Sequence, residues 1–180
     1  MEQKRENLWQ SRPEVKKGNI GEKYAREFLE RKGFIVYKPV SDGAHKIDFF
    51  AHNGADKKVV AIEAKSKKRM AKFTKTGFNT TNLIHYKEIE RRHSIPTFIY
   101  FVDEFEECVY GQWLSKLSDG CEKGIVTVWE LSEMEFIRWL TPKEVLELKE
   151  YSKPDNYDYS NVQQFFKSTI HENCQKFATY

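Results

Sequence analysis

Apolar positions in this chain fall into two periodicities, one of strands and one of helices. Ile20, Tyr24 and Phe28, with Ala25 and Leu29, recur at helical spacing and predict a helix over about 19–32, with Asn19 as its cap and Gly33 as its left-handed stop. Phe34-Ile35-Val36-Tyr37 reads as a short strand ended by Pro39. Ile47-Asp48-Phe49-Phe50-Ala51 and Val59-Val60-Ala61-Ile62, the latter continuing into Glu63-Ala64-Lys65, read as two strands joined by the turn Asn53-Gly54-Ala55-Asp56, a hairpin. A second helix is predicted over about 81–93, with Leu83, Ile84, Tyr86 and Ile89 turned inward. Pro96 then opens the strand Thr97–Val102, and Cys108–Gly111 returns from its acidic turn. Trp113–Leu117 fits one helical turn, and Gly124–Glu130 and Glu135–Leu140 fit strands. Thr141-Pro142-Lys143-Glu144 has cap, first-turn proline and third-position glutamate for a helix to about Tyr151.

The hairpin carries the chemistry. In an antiparallel pair closed by a symmetric loop, facing residue numbers share one sum. A loop centred between Ala55 and Asp56 makes that sum 111, which is also the sum of 48 and 63. Asp48 and Glu63 are therefore expected opposite each other, and alternation puts Lys65 on the same face as Glu63. Two readings fit two carboxylates and an ammonium among Val, Ile and Phe. One is a half-exposed sheet face with a cross-strand ion pair. The other is a divalent-metal site, since two hard oxygen ligands with open positions suit Mg²⁺ and phosphate. The strand pair alone does not choose between them.

Charge changes that picture. The 180 residues carry a net charge of only +3, yet Lys65, Lys67, Lys68, Arg69, Lys72 and Lys75 form a basic run without an acid. A solvated face accounts for most charge runs. One placed directly after a carboxylate pair points instead to a polyanion held over a metal. The stretch 72–79 mixes lysines, aromatics and small polar residues, which suits contacts to phosphates and sugars as well as it suits an ordinary surface loop. Three cysteines, Cys108, Cys121 and Cys174, lack metal-binding spacing and read as free thiols of a reducing compartment. With no signal peptide and no membrane-length apolar run, a soluble, cytoplasmic protein is expected. The length fits one domain, with residues 1–18 as an arm interrupted by Pro13, 19–151 as the folded unit, and 152–180 as a tail with a last helix over about 161–177.

The ordered set Gly21-Glu22 in the first helix, Asp48, and Glu63-Ala64-Lys65 after fourteen intervening residues resembles the PD-(D/E)xK nuclease superfamily. The wider pattern, with Gly18, Gly33-Phe34, Ser41 and Ser66, looks most like the archaeal Holliday-junction resolvases and related phage and restriction nucleases. The resemblance covers about 19–102. Ile47 stands where that family usually has the proline before its aspartate. The resemblance implies a restriction-endonuclease-like, three-layer α/β/α core with a mixed central sheet. It also implies Asp48 and Glu63 as ligands of Mg²⁺ or Mn²⁺ with the Ala64 carbonyl nearby, Lys65 orienting the attacking water, and Glu22 acting from outside the ligand shell or on a second ion. Ser41, Lys67, Lys68, Arg69, Lys72, Lys75 and Asn79 are the candidate DNA contacts.

Three functions compete: a metal-dependent DNA endonuclease, which Asp48, Glu63 and Lys65 together favour; a catalytically silent nucleic-acid-binding module; and a partner-binding protein, for which the Trp-containing C-terminal part speaks. A homodimer would suit paired-strand cleavage.

Overall fold

The computed structural model describes residues 10–40, 47–55, 58–69 and 74–152. The predicted tail helix, Ser41, Lys72 and Cys174 lie outside them. Helix α1 spans Pro13–Arg31 and starts six residues earlier than the apolar stripe predicts. Pro13 begins the helix rather than interrupting an arm: its missing N–H costs nothing in the first turn, and its fixed φ suits that position. Asn19 is therefore mid-helix, with no capping role. Gly33 does end the element, at φ +83°, a region open to glycine at little steric cost.

Strands β1 (Phe34–Tyr37), β2 (Phe49–Asn53) and β3 (Lys58–Lys67) follow, then β4 (Lys75–Asn79) and α2 (Thr80–His93). Next come β5 (Thr97–Asp103), β6 (Cys108–Trp113), a 3₁₀ turn over Leu114–Lys116, β7 (Cys121–Lys123) and β8 (Val126–Glu130). After a second 3₁₀ turn at Leu131–Glu133, β9 (Glu135–Trp139) and α3 (Pro142–Lys149) complete the described chain. Six strands form one sheet in the order β1-β2-β3-β5-β6-β9. Its β3–β5 pair is parallel and the other neighbours antiparallel. A parallel pair needs a crossover, and here the crossover contains α2.

Alternation along the strands builds two cores. Phe49, Ala51, Val60, Ile62, Ala64, Tyr100 and Val102 pack under α1 and α3, against Ile20, Tyr24, Ala25, Leu29 and Leu148. The opposite face, with Ala61, Ile99 and Phe101, is covered by Leu83 and Tyr86 of α2 and by Phe78 and Trp129. Those last two belong to a small sheet ordered β4-β8-β7. The architecture is therefore a mixed central sheet between two layers. The stretch 75–79, expected as loop, is instead strand β4. Its burial does not alternate, since Thr76, Gly77 and Phe78 are all buried, Thr76 despite its hydroxyl. Ile84, expected inside, is 59% exposed, while Leu83 and Tyr86 beside it are buried.

The start of α3 matches its sequence signature in full. Thr141 accepts from the Glu144 N–H, the Glu144 carboxylate accepts from the Thr141 N–H, and Pro142 opens the helix. Arg138 grips the same carboxylate with both terminal nitrogens at 2.8 Å. Burial alone would raise the Glu144 pKa, but the Arg138 and Thr141 hydrogen bonds outweigh it and hold the group at about 2 against an ordinary 4.5. A depressed carboxylate stabilises the fold above its unfolded pKa and loses that contribution as pH falls through its folded one. Urea unfolding is expected to separate wild type from Glu144→Gln by at most about 3 kcal/mol near neutral pH. The gap should narrow as pH drops from about 4.5 toward about 2; a gap independent of pH would remove the ion pair as its cause.

Candidate active site

Antiparallel pairing of β2 and β3 sets the site. Phe49 faces Ile62 and Ala51 faces Val60, the register whose paired numbers sum to 111. The described ladder ends at Phe49–Ile62, one residue before Asp48. Past that point β3 runs on beside β5 alone, with Glu63 opposite Ile99 and Lys65 opposite Phe101. Asp48 takes up the freed edge: its Oδ2 accepts from the Ala64 N–H at 2.8 Å. A strand residue's N–H and C=O leave on the same side, so the Ala64 carbonyl also points toward Asp48. Lys65 Nζ is bonded to Glu63 Oε1. Asp48, Glu63, Ala64 and Lys65 are thus brought together.

Glu63 is 3% exposed and Asp48 half-buried. Burial, then the charge of Glu63, pushes Asp48 up to about 7, against the opposing pull of Lys65 and the Ala64 N–H. Burial also raises Glu63, opposed first by Lys65. Lys67, two residues on and on the same face, is pushed down to about 8 by burial and then by the charge of Lys65. Glu22 reaches the site from α1. It accepts from Lys38 Nζ at 2.7 Å and adds negative charge to the field at both Asp48 and Glu63. Gly21 permits that approach, since a Cβ there would stand 2.8 Å from Ser66 Cβ on β3.

Sequence reasoning misses one site residue. Tyr86, expected only as a core contact of α2, is 1% exposed and lies within the field of the Glu63 carboxylate. Burial, then the Glu63 carboxylate, raises its pKa far above the ordinary phenol value. The available signal is its inward position on the helix crossing over β3.

The candidate nucleic-acid contacts divide. Lys67 and Lys68 are half-buried where β3 leaves the sheet. Arg69 turns inward: Nε and Nη2 each lie 2.6 Å from Asp103 Oδ2, and the guanidinium stacks over Phe105. Its side chain is 2% exposed and locks the end of β3 to the end of β5. Lys75 lies on β4, 2.6 Å from Glu130. Asn79 caps α2 by accepting from the Thr81 N–H at 2.8 Å. Lys72 and Ser41 lie outside the described residues.

Among the described residues no three His, Cys, Asp or Glu side chains converge into a metal cage. The donor set nevertheless suits a hard divalent cation. Two carboxylates held above their ordinary range by burial and mutual repulsion would be relieved by such a charge. Mg²⁺ characteristically takes one or two carboxylates and fills its other positions with water and phosphate. Asp48, Glu63 and the Ala64 carbonyl would hold it, with Glu22 outside.

No helix among the described residues is long and apolar enough to cross a membrane. No protein-family model matches this chain, and neither does any curated protein. A solved structure does: Archaeoglobus fulgidus Hjc, a Holliday junction resolvase from an archaeal hyperthermophile, with 15% identity and a TM-score of 0.51, over 67% of this chain and 92% of that one. At that identity the likeness speaks for the backbone, and it agrees with the layers and mixed sheet described above: the chain has the restriction-endonuclease-like α/β fold, similar to that of Hjc.

Proposed function

We propose that this protein is a metal-dependent DNA endonuclease, with Asp48 and Glu63 as metal ligands and Lys65 as the fixed cation beside the attacking water. The observation that carries this reading is Asp48 on the Ala64 N–H with Glu63 and Lys65 on the adjoining strand, at the point where β2 leaves the edge of β3. A bound Mg²⁺ or Mn²⁺ would screen the phosphodiester and stabilise its developing charge. The chain's own residues do the rest. Hydrolysis joins a water oxygen to phosphorus and breaks the bond to one sugar oxygen, which leaves with a proton. Lys65 holds positive charge where the nucleophile forms, in a partly buried site where such charge acts strongly. Glu22, held by Lys38, adds a negative charge able to keep a water in place. A preference for branched DNA belongs to the same proposal, supported by the likeness in fold to a Holliday junction resolvase, and a homodimer would suit cleavage of paired strands.

The test is a panel of labelled junction, flap, duplex and single-stranded DNA, incubated with the protein in Mg²⁺ and in Mn²⁺. Cleavage of at least one class is expected, with junctions best if the fold's likeness extends to substrate. No product from any of them would leave a binding protein on a nuclease fold.

Lys67, Lys68 and Lys72 are the proposed phosphate contacts to test first, since Arg69 is engaged by Asp103. Replacing them with Gln is expected to weaken binding to all sequences alike. Every lysine–phosphate pair removed should reduce the magnitude of the log–log salt slope on duplex DNA by about 0.9. Fluorescence anisotropy across a salt series measures it. An unchanged slope returns the basic run to an ordinary solvated surface.

A further inference from the structure

We propose that Lys38 is a positioning residue that sets the metal stoichiometry: by occupying the Glu22 carboxylate it limits the site to a single divalent ion. The inference rests on the reading of Asp48 and Glu63 as metal ligands. Two contacts place the Glu22–Lys38 pair beside that site. Gly21 lies against Ser66, where a Cβ would come within 2.8 Å of the serine's own, so α1 brings the adjoining Glu22 to the stretch of β3 that carries Glu63 and Lys65. Lys38 Nζ stands 5.9 Å from the centre of the Phe49 ring, and Phe49 directly follows Asp48. Yet among the described residues no three carboxylate, imidazole or thiol side chains converge as a metal cage. Glu22 is thus held apart from Asp48 and Glu63, with Lys38 Nζ donating to its Oε2 at 2.7 Å.

An ammonium in that place opposes a second ion in two ways. It competes for an oxygen the ion would need, and it repels the ion's charge at close range. A glutamate has three rotatable side-chain bonds. Released from the ammonium, Glu22 is able to turn toward the two ligands and offer a further hard oxygen donor, of the kind Mg²⁺ and Mn²⁺ take. Lys38 is itself steadied by the Phe49 ring beneath it, which is 2% exposed and so a fixed platform for the cation. The side chains of Lys38 and Glu22 are 53% and 20% exposed, and so open a pair contributes little to stability. An ordinary surface ion pair shares that property, so the test needs a readout that such a pair does not move.

That readout is the number of Mn²⁺ ions bound per chain. It is counted from the loss of the free-ion electron paramagnetic resonance signal as Mn²⁺ is added to the full chain without DNA, with urea unfolding of each variant. Wild type is expected to bind one ion. Lys38→Met keeps most of the stem, removes the charge, and is expected to bind two at close to wild-type stability. Lys38→Arg restores a cation and should return the count to one. Lys38→Met combined with Glu22→Gln should also bind one, because the second ion then lacks its carboxylate. Two ions on wild type, one on Lys38→Met, or a second ion that survives Glu22→Gln would each overturn the proposal. The ligand reading outlives any of these if Asp48→Asn loses Mn²⁺. Equal Mn²⁺ binding by wild type and Asp48→Asn would bring down the ligand reading, and this inference with it.

Discussion

Asp48→Asn and Glu63→Gln are expected to bind DNA in EDTA as wild type does and to cleave it in Mg²⁺ at least about 10³-fold more slowly. On the proposed reading each removes a charged ligand, and a bound ion would contribute several kcal/mol of transition-state stabilisation. Both variants should fold. Asp48→Asn keeps an acceptor for the Ala64 N–H, and Glu63→Gln keeps one for Lys65. Nor do these carboxylates hold the fold together when ionised, because burial raises the pKa of both. Affinity for DNA should be equal or slightly higher, since negative charge has been removed from a surface meant to meet phosphate. Wild-type turnover by either variant would place the chemistry elsewhere.

Lys65→Ala leaves both carboxylates, so metal and DNA should still bind. On the proposed reading what goes is the cation beside the nucleophile, and the loss should fall on the chemical step. At saturating enzyme, the single-turnover rate is expected to drop by on the order of 10²-fold, as when one preorganised charge-stabilising group is removed. Affinity measured in Ca²⁺ should change little. Lys65→Arg should rescue poorly, because a planar guanidinium does not replace a compact ammonium. A collapsed affinity with a normal rate at saturation would make Lys65 a phosphate contact instead.

The part of the fold legible in the sequence is the part set by short-range rules. The facing of Asp48 and Glu63 follows from a turn and a period of two, and the ladder between β2 and β3 has that register. The α3 capping box is likewise written in four consecutive residues. The start of α1 is not legible in this way, because a proline permits a first turn as readily as it breaks a helix; only packing decides which. β4 is hidden because its partner, β8, is some fifty residues downstream and a glycine interrupts its pattern. In the sequence Arg69 is one more basic residue of its run. Its partner Asp103 is 34 residues away, and nothing local to Arg69 announces that its guanidinium turns inward. Helical spacing places Tyr86 on the inner side of α2, but the carboxylate whose field reaches it comes from a distant strand. Pairings of this kind, between side chains of opposite chemistry far apart in the chain, are where one-dimensional periodicity stops carrying information.

Metal-dependent cleavage at Asp48 is tested most directly by one titration. Wild-type protein is bound to a labelled four-way DNA junction in EDTA, Mg²⁺ is added in excess over chelator, and product is followed with Asp48→Asn protein in parallel. The expected result is a stable complex without cleavage before addition, product only afterwards, and none above background from the variant. Cleavage in EDTA, or equal cleavage by wild type and variant, would contradict it.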